Sequence, residues 1–406
     1  MKTASPRTNP FRFGALALDE AFADREEERA ELVSDIRNGQ DIVVFAPRRC
    51  GKSSLVWSAM QTLGGEGVLV AHVDLMTTPT KERLAAALAR SIYEQIASPL
   101  ERIKDRALAP FRGLQVQPTV TIDPEDGSLS FSFALGRKES DIDATLERLL
   151  QLPAELGGAE RRRTALVMDE FQEIVEIDAN LPRLLRSVFQ QQPDVAHVYL
   201  GSKRHVMEKV FSNSNEPFWR SARPIELGVI APDAFAPFIA ERFRSSGRHV
   251  DQEAIDELLA VTGGHPYATQ ELAYFLWEQV PDGEDGSVGH LRDALAAVLR
   301  SEHAHFTLLW EGASTVQRLV LQALAREAGR PYTDAYRAYN NLPAATNMQK
   351  ALRALEQREI VARSDGVYRI AEPFLAEWLR LQAVDSVAGR GAGGSSDSAS
   401  EKPRRR

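Results

Sequence analysis

Read as apolar and polar positions, the chain changes period along its length. Between residues 41 and 230, short apolar runs alternate with longer segments of helical period. The runs are DIVVFAP from Asp41, VLVAHVDL from Val68, TALVMDE from Thr164, HVYLGS from His197 and PIELGVI from Pro224. Each is short, rich in β-branched residues and nearly continuous in apolar character, as in strands covered on both faces of a parallel sheet. Helical patterns lie between them, among them residues 81–98 and 141–156. This alternation predicts an α/β layered domain with a mostly parallel sheet.

One stretch departs from the rhythm. From Leu114 the chain reads LQVQPTVTIDPEDGSLSFSFALG, with VTI and the alternating LSFSF on either side of Pro124, Asp126 and Gly127. That is the pattern of a β-hairpin, inserted at about residues 114–136. Beyond Ile230 the strand-like runs stop. PDAFAPFIAERF, DQEAIDELLAVTG, PYATQELAYFLWEQV and VGHLRDALAAVLRSEHAHF predict a helical bundle over residues 232–305. STVQRLVLQALAREAG, TDAYRAYN and NMQKALRALEQREI then read as three helices, and IVARSDGVYRIAE as two strands around Ser364, Asp365 and Gly366. Three helices and a hairpin predict a winged helix over residues 306–382. The remainder, residues 383–406, is rich in Gly and Ser without apolar periodicity and is expected to be a disordered tail. Residues 1–8 are expected to be flexible, which leaves 9–231 for the α/β core.

Composition narrows the function classes. The 406 residues suit about two or three domains. With 49 Lys and Arg against 57 Asp and Glu the net charge is −8, which excludes a chain-wide basic surface while leaving room for a local patch. The single cysteine, Cys50, excludes an intramolecular disulfide framework and a cysteine-cluster metal site, and fits a reducing compartment. No apolar run approaches the roughly 18 residues that span a bilayer, and the N-terminus is not of signal-peptide type. The expected setting is cytoplasmic, with no membrane partner.

The first run ends in Ala46-Pro47-Arg48-Arg49-Cys50-Gly51-Lys52-Ser53, and the helical segment SSLVWSAMQTL begins at that serine. This matches the phosphate-binding loop pattern G-x-x-x-x-G-K-[ST] in its strand–loop–helix setting. Such a loop wraps backbone N–H groups around phosphates at a helix N-terminus. Lys52 is expected on the β- and γ-phosphates and the Ser53 hydroxyl on Mg²⁺, with Gly51 permitting close backbone approach. Pro47, Arg48, Arg49, Cys50 and Ser54 complete the expected nucleotide contacts. The pattern's first glycine is here Ala46, whose methyl the loop tolerates if φ stays negative. Cys50 reads as a small space-filling residue, or as a redox-sensitive thiol activated by the helix N-terminus and by Arg48, Arg49 and Lys52.

About 120 residues on, Ala165-Leu166-Val167-Met168 runs into Asp169-Glu170, a carboxylate pair at the end of a buried strand. In phosphate-loop enzymes the first acid serves the Mg²⁺ shell and the second polarises the attacking water. Asp169 with Ser53 is therefore the expected metal pair, and Glu170 the expected base.

Further short motifs accompany these two. They are Asn9-Pro10-Phe11, Phe13-Gly14, Phe22 with Asp24-Arg25-Glu26, Asp-Glu-Phe-Gln at 169–172, Gly201-Ser202, Arg220-Ser221-Ala222-Arg223 and Gly263-Gly264-His265-Pro266. In this combination the chain resembles a P-loop ATPase of the STAND/AAA+ group, most of all the archaeal-type ATPase family also found in bacteria. The resemblance covers about residues 9–382. It implies a three-layer P-loop NTPase core of AAA+ type with an inserted hairpin, then an α-helical lid and a winged helix. It also implies roles. Asn9, Pro10 and Phe11 lie near the adenine, Pro266 closes over the base from the lid, and Ser202 is the sensor after the fourth strand. Arg223 is either an arginine finger supplied to a neighbour in an ATP-dependent homo-oligomer or a structural ion pair. His265 is either functional or a helix-start residue.

The implied function is an ATP- and Mg²⁺-dependent molecular switch that hydrolyses ATP slowly and is read by a protein partner. The alternative is a DNA-associated AAA+ ATPase, an initiator, transposition or defence component, with its winged helix on duplex DNA. A third reading is an ATP-binding scaffold. The winged helix is where these part. Its recognition helix, residues 344–358, carries Lys350, Arg353 and Arg358 against Glu356, and Arg363 and Arg369 flank the wing. That bias could meet phosphates, or the module could pack as a protein-facing arm.

Overall fold

The computed structural model describes residues 8–14, 22–97, 108–123, 129–134 and 138–391. They divide into two compact units, one built from Gly14–Val229 and the other from Ile230 onward together with the described residues before Gly14.

The first unit opens with α1 (Glu26–Arg37), β1 (Ile42–Phe45), α2 (Lys52–Gly65), β2 (Leu69–Asp74) and α3 (Lys81–Ile92). The hairpin strands β3 (Thr119–Ile122) and β4 (Leu129–Ser132) come next, then α4 (Glu139–Glu160), β5 (Thr164–Asp169), α5 (Leu181–Phe189), β6 (Val195–Gly201), α6 (Arg204–Ser212) and β7 (Arg223–Glu226). Five strands form one sheet in the order β2-β5-β6-β1-β7, parallel throughout. Successive residues point to opposite faces of a strand, and here both faces are covered. Ile42, Val44, Val167 and Val198 pack with Leu32 of α1 and Leu55 of α2. Val43, Leu166, Met168 and Tyr199 pack on the other side with Leu88 of α3, Leu149 of α4 and Leu185 of α5. This is the three-layer α/β fold that the apolar runs predict.

The hairpin forms where the alternation LSFSF places it. Leu129 and Phe131 are buried while Ser130 and Ser132 are exposed. Phe131 lies 5.8 Å from Tyr93 and 5.4 Å from Phe111, ring to ring. The turn at Pro124, Asp126 and Gly127 lies outside the described residues. The helix expected over 81–98 is α-helical only to Ile92 and continues as a π turn over Tyr93–Ala97.

The second unit contains α7 (Pro232–Ser245), β8 (His249–Val250), α8 (Gln252–Thr262), α9 (Pro266–Gln279), β9 (Asp285–Gly286) and α10 (Val288–Glu311). It continues with α11 (Thr315–Arg326), α12 (Asp334–Tyr339), α13 (Ala345–Gln357), β10 (Val361–Ser364), β11 (Val367–Ile370) and α14 (Pro373–Gly391). β10 and β11 pair antiparallel and complete the winged helix. Trp378 and Leu379 of α14 are buried, and Trp378 Nε1 donates to His303 Nδ1 of α10 at 3.1 Å.

Three expectations are corrected here. Strands do not stop at Ile230: β8 and β9 pair in parallel, too short to leave an apolar run. The tail does not start at residue 383, because α14 runs on to Gly391. The composition that suggested disorder belongs mainly to residues 392–406, which lie outside the described residues. Finally, residues 9–13 belong to this unit. Phe11 packs with its ring tilted against Phe243 of α7 at 5.3 Å, Phe13 meets Tyr274 of α9 at 5.2 Å, and Asn9 Nδ2 donates to the Tyr274 carbonyl at 3.1 Å. Among the described residues no helix is long and apolar enough to cross a membrane.

Candidate nucleotide site

β1, β5 and β6 run parallel, so their C-terminal ends share one edge of the sheet, and each brings part of one cluster. β1 leads into the loop that opens α2 at Lys52, β5 ends at Asp169 with Glu170 beyond it, and β6 ends at Gly201 with Ser202 beyond it. Lys52 Nζ stands 3.1 Å from both Asp169 Oδ1 and Glu170 Oε1. Ser53 Oγ donates to Asp169 Oδ2 at 3.0 Å. Glu170 Oε2 accepts from Ser202 Oγ at 2.8 Å and from Gln172 Nε2. Lys52, Asp169 and Ser202 are all buried.

One ammonium thus bridges two carboxylates in a largely buried setting. Burial pushes the Glu170 carboxyl up. The Lys52 ammonium and the hydrogen bonds from Gln172, Ser202 and Lys52 outweigh it and hold the group below the ordinary carboxylate range. Glu170 also sits in the left-handed region at φ 51°. That conformation costs a non-glycine residue about 1–3 kcal/mol and is found where a site over-determines the backbone. Here its N–H donates to Asp169 Oδ1 at 2.8 Å.

The loop keeps its path despite the missing first glycine. Ala46 is buried and its N–H donates to the Gly201 carbonyl at 3.3 Å. The left-handed positions fall later, at Arg49 with φ 62° and Gly51 with φ 83°. Pro47, Arg48 and Arg49 are exposed, whereas Ser54 is buried. Cys50 is 2% exposed and packs in the core with Val44 and Leu55, so it fills space.

A residue that was quoted only as part of a motif proves central to this loop. Arg25 is 3% exposed, and its Nη2 donates to the Cys50 carbonyl at 3.3 Å and to the Gly228 carbonyl. It therefore ties the phosphate loop to the segment that leaves β7. Gln172 is the second such residue. It is 2% exposed, holds Glu170, and its Oε1 has no hydrogen-bond partner among the described residues. Burial is what distinguishes both, and a lone Arg or Gln carries no burial signal in sequence.

Other expected residues lie elsewhere. Arg223 pairs in register with Ile42, at the edge of the sheet opposite the cluster. Its guanidinium meets Asp35 at 2.6 Å and also Glu31, both on α1. This is the structural ion pair, the plainer of its two readings. Asn9, Pro10, Phe11 and Pro266 belong to the second unit. Phe11 is 1% exposed against Phe243, so its ring is committed to packing and not open to an adenine. Asn9 Oδ1 accepts from the Phe11 N–H while its Nδ2 serves Tyr274 and Glu278. His265 Nδ1 accepts from the Ala268 N–H at 3.4 Å, which makes it the N-cap of α9, and Pro266 follows at the first helical position.

Could these residues hold Mg²⁺? The ion takes hard oxygen donors, and its nucleotide sites use one or two carboxylates plus substrate phosphates. Ser53 Oγ and Asp169 Oδ2 stand side by side at the head of α2 and fit that donor set. If phosphate draws Lys52 away, the two acids also need a new cation.

Comparison with known proteins agrees with this geometry. Residues 22–272 match the model of a family described as an ATPase domain predominantly from Archaea. Residues 304–381 match a probable winged helix domain. Among curated proteins, an uncharacterized WD repeat-containing protein of Synechocystis is 24% identical over 290 residues, 68% of this chain. The chain spans only 22% of that relative's length. Among solved structures, the Walker-type ATPase of Pyrococcus abyssi superposes with a TM-score of 0.63 at 18% identity, covering 91% of this chain and 99% of the other. The ORC2 protein of Aeropyrum pernix, solved in ADPNP–ADP complexes, gives 0.53 at 15% identity over 95% and 100%. At these identities the likeness shows the fold.

Proposed function

We propose that this chain, which belongs to the ATPase family found predominantly in Archaea, is a slow, ATP-dependent molecular switch of STAND type. The observation that carries the reading is the bridge from Lys52 to Asp169 and Glu170. The two acids occupy the charge that a phosphate would take. Binding of ATP moves Lys52 to the phosphates, aided by the loop N–H groups at the head of α2. Ser53 and Asp169 would hold Mg²⁺, whose role when bound is to neutralise the phosphate charge. Glu170, freed on Oε1 and still held on Oε2 by Gln172 and Ser202, orients the attacking water and accepts its proton. Ser202 senses the nucleotide through that hydrogen bond. Asn9, Pro10 and Pro266 keep the adenine-contact role that the resemblance gives them, with Asn9 bonded to α9 through the Tyr274 carbonyl and Pro266 at that helix's first position.

One feature supports slow turnover: both Glu170 oxygens are engaged before the nucleotide arrives, so Lys52 must leave before Glu170 can act. The single buried cysteine supports a reducing, cytoplasmic setting.

The test uses Glu170→Gln, which keeps shape and hydrogen bonding but not basicity. It should retain ATP and lose turnover by about 10²-fold or more. Hydrogen exchange over residues 315–370 should then differ between this variant loaded with ATP and the wild type loaded with ADP. Wild-type turnover in the variant removes Glu170 from its role. Identical exchange in the two states removes the switch and leaves the scaffold.

A further inference from the structure

A third carboxylate reaches the corner of the sheet that Asp169 and Glu170 occupy. β2 lies beside β5 in the register Val70↔Ala165, His72↔Val167 and Asp74↔Asp169. Side chains alternate between faces along a strand, so these three pairs share one face. It is the face that α2 covers, because Val70, Ala165 and Val167 pack there with Leu55 and Val56. Trp57 fixes the height along the strands. It follows Ser53 by one helical turn, and its ring meets the His72 ring edge-on at 6.5 Å. From that contact Ser53 lies about 6 Å up the helix and Asp74 about 6.6 Å up the strand. Asp74 is therefore level with the Ser53–Asp169 pair, one strand further out.

The local role of Asp74 does not account for its charge. Its Oδ1 accepts from the Met76 N–H at 2.9 Å and so caps the short turn Leu75–Thr77. Asparagine or serine caps such a turn as well as aspartate does. Among the described residues Asp74 is half-buried, makes no ion pair, and has no hydrogen-bond partner on Oδ2.

We propose that Asp74 is a positioning residue for the magnesium ion of the nucleotide, holding a water of its shell beside Asp169. This rests on the nucleotide reading given above and deepens it. Mg²⁺ gives up its waters reluctantly and is commonly bound through one or two carboxylates plus substrate phosphates, so a second carboxylate level with Ser53 and Asp169 meets water on the ion. Charge supports the assignment. Asp74, Asp169 and Glu170 gather round one ammonium, that of Lys52. Once phosphate draws Lys52 away, three acids face one another and the nucleotide, and like charges repel. Asp74 therefore opposes ATP without the metal and favours it with the metal. A capping residue has no such change of sign.

The experiment measures ATP binding to the full chain by calorimetry, in EDTA and over a series of free Mg²⁺ concentrations. The proteins are wild type, Asp74→Asn, Asp74→Ser and Asp169→Asn. Asn and Ser at 74 keep an acceptor for the Met76 N–H, so their melting curves should match the wild type. We expect both to need about tenfold more Mg²⁺ for half of the metal-dependent gain in ATP affinity, the scale of a lost outer-shell partner. In EDTA their ATP affinity should equal or exceed that of the wild type. If Asp169→Asn raises the Mg²⁺ requirement and the two Asp74 variants do not, the Asp74 assignment falls alone. If both Asp74 variants lose affinity equally with and without Mg²⁺, Asp74 is a turn cap only and the proposal is overturned. If ATP affinity of the wild type ignores Mg²⁺, the metal site at Ser53 and Asp169 falls, and Asp74 with it.

Discussion

Glu170 is held at three points: Lys52 on Oε1, Ser202 and Gln172 on Oε2. Arg25 performs a similar office for the backbone, since one guanidinium reaches carbonyls of the phosphate loop and of the segment after β7. A buried carbonyl left without a donor costs about 1–3 kcal/mol. Arg25→Met should therefore lower folding stability by about 2 kcal/mol or more and weaken ATP binding about tenfold. Arg25→Lys should recover only part of this, because one ammonium must replace two nitrogens, Nη2 on both carbonyls and Nη1 on Glu28. Denaturant melts and calorimetry on both variants check it. A loop indifferent to Arg25 would show full ATP affinity in the methionine variant.

At the scale of elements, the Gly-Gly-His-Pro turn shows how a short motif does several jobs. Gly263 caps α8 in the left-handed conformation. Gly264 is left-handed at φ 69°, and a Cβ there would stand 2.1 Å from the Ile230 carbonyl oxygen. Its own carbonyl accepts from the Ile230 N–H at 2.9 Å. Gly264→Ala should therefore lower the melting temperature markedly by prising this contact apart, while Gly263→Ala, with open space around it, should cost less. Equal melting temperatures would contradict the account. The motif was legible in sequence, but its reason was not, because residue 230 is far away in the chain. The same division holds elsewhere. The runs IVVF, ALVM and HVYL announced buried parallel strands because both faces are apolar, and Gly51-Lys52-Ser53 and Asp169-Glu170 stood at their ends. Arg25 and Gln172 gave no such notice, since what matters is their burial. Phe11 misled for the same reason: sequence shows an aromatic ring but not that Phe243 covers it. β8 and β9 are two residues each and carry no period at all.

The whole molecule joins an acidic ATPase to a locally cationic winged helix. The nucleotide site is local, built at one edge of one sheet from β1, β5 and β6. The proposed nucleotide switch passes through the exchange of Lys52 from its two acids to phosphate. Calorimetric titration of ATP–Mg²⁺ into the wild type and into folded Lys52→Ala tests this most directly. Charge-assisted bonds to phosphate are strong, so the variant should lose about 2 kcal/mol or more of binding free energy, roughly 30-fold or more in affinity. Equal affinity in the two proteins would contradict the assignment of this loop as the nucleotide site.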